Sequence, residues 1–325
     1  MAAEKKGCAG LEQNFRNRDF YQEKAKKKPR IISYLALIVC VFALIGMYAY
    51  QKEIGPFAQS TLAHPKVSDS RSKKEAQRDF DQLLDQIFKE EITDNTITLN
   101  YTLKNKSSYG IDSDKVTLGE YSLDEMKNSL LVSENRVATL ETFDYDKLSK
   151  EQKLIYDIIY LMSKQNLEAA DFLEYGESLG PTTGIQAQLP IFFAEYNFYG
   201  KKDVDQYIAL MGLVPEYFEQ IIDFEKMKSK KGLFMSDTTA QAIIEQCSDF
   251  VKEPESNYLI TVFEKKLDSI KGLSSEERKE YIRQNKDAVL KKMVPAYQTL
   301  IEGLKELKGT GKNENGLQYF TLVQL

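Results

Sequence analysis

The sequence predicts a mostly α protein: an N-terminal transmembrane helix followed by an extracytoplasmic multi-helix domain, with room for one short strand or hairpin. Three observations predict it. Residues 31–50 form a twenty-residue run without a charge. Apolar residues recur at helical spacing from Glu75 onward, and Ser-x-x-Glu/Gln signatures open several of those stretches.

The run Ile31 to Tyr50, IISYLALIVCVFALIGMYAY, is long enough at about 1.5 Å per residue to cross a hydrocarbon core of about 30 Å. Tyr34, Tyr48 and Tyr50 stand where aromatic belts meet the two interfaces. Residues 1–30 carry nine Lys or Arg and a net charge of +5, whereas Gln51 to Ser70 carries only Lys52 and Lys66. The positive-inside rule then places the N-terminus in the cytoplasm and the remainder outside, as a single-pass protein of the cell membrane. A cleaved signal peptide fits less well, because Met47-Tyr48-Ala49 is a poor cleavage site and the apolar run is too long. Leu37-Ile38-Val39 before Cys40 lacks the small residue that a lipid-modified Cys requires.

The organisation expected is therefore a basic cytoplasmic segment at 1–30, the anchor at 31–50, a linker at 51–74 and a helical domain at 75–325. Pro56, Pro65 and four Ser mark the linker, which also holds His64 beside Pro65 as a solvated residue.

Within the domain, Phe80, Leu83, Leu84, Ile87 and Phe88 make one helical stripe. Ser122 with Glu125, Ser149 with Gln152 and Ser274 with Glu277 read as capping boxes. Leu154, Ile155, Ile158, Ile159 and Met162 form the stripe after Ser149. Tyr207, Ile208 and Met211 follow Asp203, and Phe218, Ile221, Ile222 and Glu225 follow Pro215. Thr238 to Val251, Asn257 to Ile270 and Ala288 to Leu307 repeat the pattern. Asp94 to Leu103 is the exception, since Ile97, Leu99, Tyr101 and Leu103 alternate with polar residues as in a strand or extended edge.

Composition narrows the chemistry. A net charge of -5 argues against nucleic acid as a partner. One His in the whole chain excludes the H-E-x-x-H helix, which needs two. The three Cys leave Cys247 alone in the outer part, a small buried hydrophobe by its pattern. Lys228, Lys230 and Lys231 read as a solvated run. Glu90-Glu91, Glu195 and Glu276-Glu277 suit helix faces and helix starts better than an acid/base pair.

The least helix-like stretch is Gly180 to Pro190, followed by the aromatic run Ile191 to Tyr199. Thr183, Gln186 and Gln188 are the candidate substrate-binding residues, neutral hydrogen-bonding groups beside apolar surface. The competing reading is a structural connection in which the Gln side chains satisfy backbone groups. No catalytic or metal-ligating residue is assigned.

Several ordered stretches resemble the bacterial family known as domain of unknown function 885. They are Phe80-Asp81 through Thr98-Leu99-Asn100-Tyr101-Thr102-Leu103, Gly184 to Pro190 with Ala194-Glu195-Tyr196, Val214-Pro215-Glu216-Tyr217-Phe218 with Gly232-Leu233-Phe234-Met235, and Pro295-Ala296-Tyr297 through Gly309 to Leu317. The resemblance implies a helical, zinc-dependent peptidase-like hydrolase whose metal ligands lie in a C-terminal half absent here. It implies that 75–325 is the N-terminal part of such a domain, with no cofactor in this chain, zinc only in full-length relatives, and no activity alone. A peptide substrate, or a separate C-terminal half restoring the zinc site, are the partners implied. The alternative is a membrane-anchored helical module that binds a protein or peptide partner. A fragment is expected to leave an apolar face uncovered near Ala288 to Leu307.

Overall fold

The computed structural model describes residues 64–312 except 66, 112 and 113. The expected anchor at 31–50, the cytoplasmic segment at 1–30 and most of the linker lie outside the described residues. Among the described residues no helix is long and apolar enough to cross a membrane. His64, at their edge, is half-buried.

The described residues hold ten α-helices and no strand. Helix α1 spans Lys73–Thr93 and opens on a capping box between Ser72 and Glu75, so the linker expected to reach residue 74 ends earlier. Its last residues are fastened to the domain. Arg71 donates to the Thr142 carbonyl at 2.8 Å and stacks 4.1 Å from the centre of the Phe143 ring, while Lys147 donates to the Arg71 carbonyl at 2.8 Å.

The expected strand is helix α2, Thr96–Thr102. The Asn95 side chain accepts from the Ile97 and Thr98 amides at 2.8 and 3.3 Å, an N-cap that supplies partners for two donors a helix start leaves orphaned. Leu99 in this helix and Leu103 at its C-cap, four residues apart, share a small core with Ile92 and Ile111, and Tyr101 is turned out to solvent. Over so few residues the alternating pattern also contains the i, i+4 pair a helix needs.

Helices α3 (Leu123–Leu140) and α4 (Lys150–Glu168) pair with each other. The Ser149–Gln152 box is complete, and Gln152 also reaches the Gln77 carbonyl at 2.8 Å. Here the expected inner face is reversed. Helix α4 buries Gln152, Tyr156, Tyr160 and Ser163 and leaves Leu154, Ile155, Ile158 and Met162 exposed. Tyr156 packs on Phe80 and Tyr145, so aromatic area wins the core side.

Helices α5 (Ile185–Glu195), α6 (Lys201–Lys230), α7 (Asp237–Val251), α8 (Tyr258–Lys266), α9 (Ser275–Ala288) and α10 (Val294–Leu307) build the main core. The stretches on either side of Pro215 are one helix, α6. Val204, Tyr207, Met211, Val214, Phe218, Ile221 and Glu225 keep one buried stripe through the proline. Burial of that stripe exceeds the roughly 3 kcal/mol an interior Pro costs. A π turn, Val289–Met293, joins α9 to α10. Gly303 of α10 lets that helix approach α6, since a Cβ there would meet Ile222 at 3.0 Å.

Two further expectations are corrected here. Lys228 is buried, donating to the Gly176 carbonyl at 2.9 Å and pairing with buried Glu225 at 3.3 Å. Cations this deep persist only when paired. The outer face of α10 is closed: Gln298, Thr299, Glu302, Lys305 and Glu306 are exposed while Tyr297, Leu300, Ile301 and Leu304 are buried. The uncovered apolar face lies on α4 instead.

Candidate functional site

The stretch Gly180 to Pro190 divides at Gly184, the N-cap of α5. A Cβ at Gly184 would lie 2.1 Å from the Gly180 amide nitrogen, so only glycine lets the loop fold back on the helix start. Gln186 locks this turn. Its side chain donates to the Gly180 carbonyl at 2.6 Å and to Gln246 Oε1 at 2.9 Å, and its own carbonyl accepts from the Tyr297 hydroxyl at 2.7 Å. Pro190 sits inside α5, so the second half of the expected loop, with most of the aromatic run, is helix.

A groove of about 400 Å³ opens between α2, α5 and Tyr217 of α6. Ile97, Leu118, Ile185, Leu189 and Phe192 supply apolar wall, and Tyr101, Gln188, Asn95 and Glu195 are the polar residues along it, with buried Tyr196 at its edge. Two asparagines set its geometry. Asn95 caps α2 and donates to the Leu118 carbonyl at 2.6 Å. Asn100 donates to the Asn197 carbonyl at 3.0 Å and accepts from the Asn197 amide at 2.8 Å, tying α2 to the chain leaving α5.

Of the three candidate residues, the groove takes one. Gln188 lines it, with its amide donating to the Thr183 carbonyl at 3.0 Å. Gln186 is buried in the turn, and Thr183 is exposed on the loop, neither among the lining residues. Tyr196, Tyr217, Tyr101 and Asn95 escaped the sequence reading. Tyr196 lies within the aromatic run that follows the loop, the one signal the sequence offers for it; a strand over 94–103 gives no reason to bring Asn95 and Tyr101 to this site.

Tyr196 is the unusual member. It is 2% exposed, and its hydroxyl has no hydrogen-bond partner among the described residues. An orphaned buried hydroxyl costs roughly 1–3 kcal/mol. Burial first, and then the charge of Asp203, push its phenol well above the usual range, so at neutral pH it keeps its proton and is a donor. Burial also pushes the Tyr217 phenol up. At the C-terminal end of α5, Lys266 donates to the Ala194 carbonyl, and burial lowers its pKa to about 8 against the opposing pull of Glu195.

Beside the groove, and sharing Leu118 and Tyr217 with it, lies a polar hollow lined by Asp94, Glu120, Glu125 and Glu216 with Lys115. Among the described residues no three His, Cys, Asp or Glu side chains converge as a metal site requires. The residues described do not fit a zinc centre. The groove can hold and orient a ligand; it presents no nucleophile with an adjacent base.

The family described as a bacterial protein of unknown function (DUF885) matches residues 104–323. A solved structure, the "putative lipoprotein" from Colwellia psychrerythraea, has a similar fold with a TM-score of 0.56 at 16% identity. The similarity covers 73% of this chain and 42% of that one, so the chain spans about two fifths of its length. No curated protein matches.

Proposed function

The chain belongs to the DUF885 family of bacterial proteins, and from that premise we propose that its helical domain is the peptide-holding part of a peptidase-like hydrolase, carried at a membrane by residues 31–50. The observation that carries this reading is the groove: mostly apolar, about 400 Å³, with neutral amides and phenols at fixed positions, the make-up of sites that orient organic ligands. Its size suits one bulky side chain and the backbone on either side. Any hydrolytic group belongs to residues outside those described, and no step of bond cleavage is assigned to these side chains. In the solved neighbour the shared fold makes up about two fifths of the chain. The anchor rests on the charge-free run and the basic residues before it.

Binding of a fluorescent, uncharged peptide with a central Leu tests the reading. Tyr101 and Phe192 line the groove yet are exposed, so truncating them spares the core. Tyr101→Ala with Phe192→Ala is expected to weaken binding roughly tenfold, about 1–2 kcal/mol of lost apolar contact. Unchanged affinity, or no saturable binding by the unaltered chain, refutes it. A second reading, a helical module that docks a protein partner, is favoured by the closed, polar outer face of α10, where a fragment was expected to leave apolar surface uncovered.

A further inference from the structure

We infer that α4 is the contact between two copies of this chain, packed antiparallel, stripe against stripe. Glu151, Leu154, Ile158, Leu161 and Gln165 follow one another at three- and four-residue steps, the spacing of a seam along which one helix packs on another. Leu154, Ile158 and Leu161 are 56%, 49% and 43% exposed, and Ile155 and Met162 flank them on one side, also exposed. The seam lies opposite the side on which Gln152, Tyr156, Tyr160 and Ser163 are buried. It points away from the domain, where a second helix can reach it.

The charges on the other flank say which helix that is. Lys150, Asp157, Lys164 and Asp171 stand seven residues apart and alternate in sign. Asp171 sits just past the end of α4, in the short 3-10 helix Ala170–Tyr175, and Asp157 is held in its place by the Tyr145 hydroxyl, which donates to it at 2.8 Å. In an antiparallel pair of identical helices like flanks face each other, so this row meets its own copy. The register that sets Ile158 against Leu161 of the second copy also brings Asp157 opposite Lys164 and Lys150 opposite Asp171. On the remaining flank it lays Ile155 on Met162. Every one of these contacts occurs twice through the two-fold axis. A slip of seven residues in one direction sets Asp157 on Asp157, and in the other Lys164 on Lys164. A parallel pair turns the charged flank onto Ile155 and Met162. The row is therefore complementary to itself in one arrangement, in which its signs select the partner and the register. That arrangement brings Glu151 near Glu168 in the outermost layer, where water and salt screen the repulsion and Lys150 lies alongside.

The test is sedimentation equilibrium of the full chain in mild detergent micelles over a range of concentrations. So short a seam is a small interface, and a dissociation constant of roughly 10 μM is expected, too weak to alter the unfolding of each copy. Lys150→Glu replaces two attractive contacts by two repulsive ones and is expected to weaken pairing about tenfold or more at low salt, and less as salt rises. Lys150→Glu with Asp171→Lys exchanges the signs and is expected to restore pairing to within about threefold. Both side chains are exposed, so neither variant disturbs the core. A carbodiimide joins an amine to a carboxylate where the two touch, and it is expected to couple Lys150 to Asp171. Within one copy those residues stand about 30 Å apart along the helix, so that product forms between copies. Exchanged charges that pair as weakly as Lys150→Glu alone overturn the inference. Pairing that survives Ile158→Lys overturns it as well, since the contact then lies elsewhere in the chain. A chain that stays single at every concentration overturns it too and leaves the stripe to a lipid surface or a different protein.

Discussion

Lys266 shows how one buried residue writes a pH dependence into the fold. Its amine donates to the Ala194 carbonyl and lies 5.3 Å from the centre of the Phe198 ring, partly out of water. Burial lowers its pKa from 10.5 to about 8. Between those two values the unfolded chain holds the proton more often than the folded one, so this group's contribution to stability rises with pH from about 8 and is flat below it, while near pH 10 the buried tyrosines, whose phenols are pushed up, begin to act the other way. Urea midpoints measured at about pH 8 and about pH 9 are expected to show the rise, and Lys266→Met to remove it. The same residue scale separates the two glutamines of the loop. Gln186 and Gln188 are alike in sequence and two residues apart, yet Gln186 closes a turn and Gln188 faces the groove. The competing structural reading therefore describes Gln186. Lys228, grouped in sequence with exposed Lys230 and Lys231, is the buried partner of Glu225. Nothing local in KMKSKK marks which lysine turns inward; a Glu three residues earlier on the same helix was the available sign.

At the scale of elements, two glycines in helices give opposite expectations. Gly212 in α6 is exposed, and a Cβ there meets nothing within 4 Å. Gly212→Ala is expected to stabilise by about 0.5–1 kcal/mol through helix propensity alone. Gly303 in α10 lies against Ile222 at 3.0 Å from the would-be Cβ. Gly303→Ala is expected to destabilise by about 1 kcal/mol, since the branched Ile222 side chain has to shift within a packed interface to admit the methyl group. Urea unfolding of the two variants decides the matter by sign; two changes of the same sign refute the packing assigned to α10. Helix starts were the most legible elements. The Ser149–Gln152 and Ser274–Glu277 boxes close reciprocally, while Ser122 accepts from the Glu125 amide. The Ser72–Glu75 box has the same spacing and was passed over within a stretch read as linker. The misread strand has a plain cause as well: Asn95 can begin either a turn or a helix, and its contacts to Ile97, Thr98 and Leu118 decide for the helix.

For the whole molecule, the unsolved surface is the α4 stripe. Leu154, Ile155, Ile158 and Met162 are apolar at helical spacing and exposed. If the stripe is surface and not misplaced core, Leu154→Lys with Ile158→Lys is expected to change stability by no more than about 0.5 kcal/mol per site and to raise solubility. Differential scanning calorimetry and the solubility limit check both; a drop of several degrees shows that the stripe is core. Its exposure, set beside the closed face of α10, places the apolar surface available to another body on α4 among the described residues.

The mostly α class, most helix starts, the burial of Cys247 and the lack of an H-E-x-x-H helix were determined by the sequence alone, because each depends on residue identity or on spacing within one helical turn. Which face of α4 turns inward, the continuity of α6 through Pro215, the burial of Lys228 and the groove between α2 and α5 were decided by tertiary structure. Each depends on what lies opposite: aromatic rings outcompete an aliphatic stripe for the core, a buried stripe outweighs a proline, and residues from 95–102, 185–196 and 217, with Leu118, make a groove where α2, α5 and α6 are brought side by side. Periodicity within a segment carries no information about its neighbours in space.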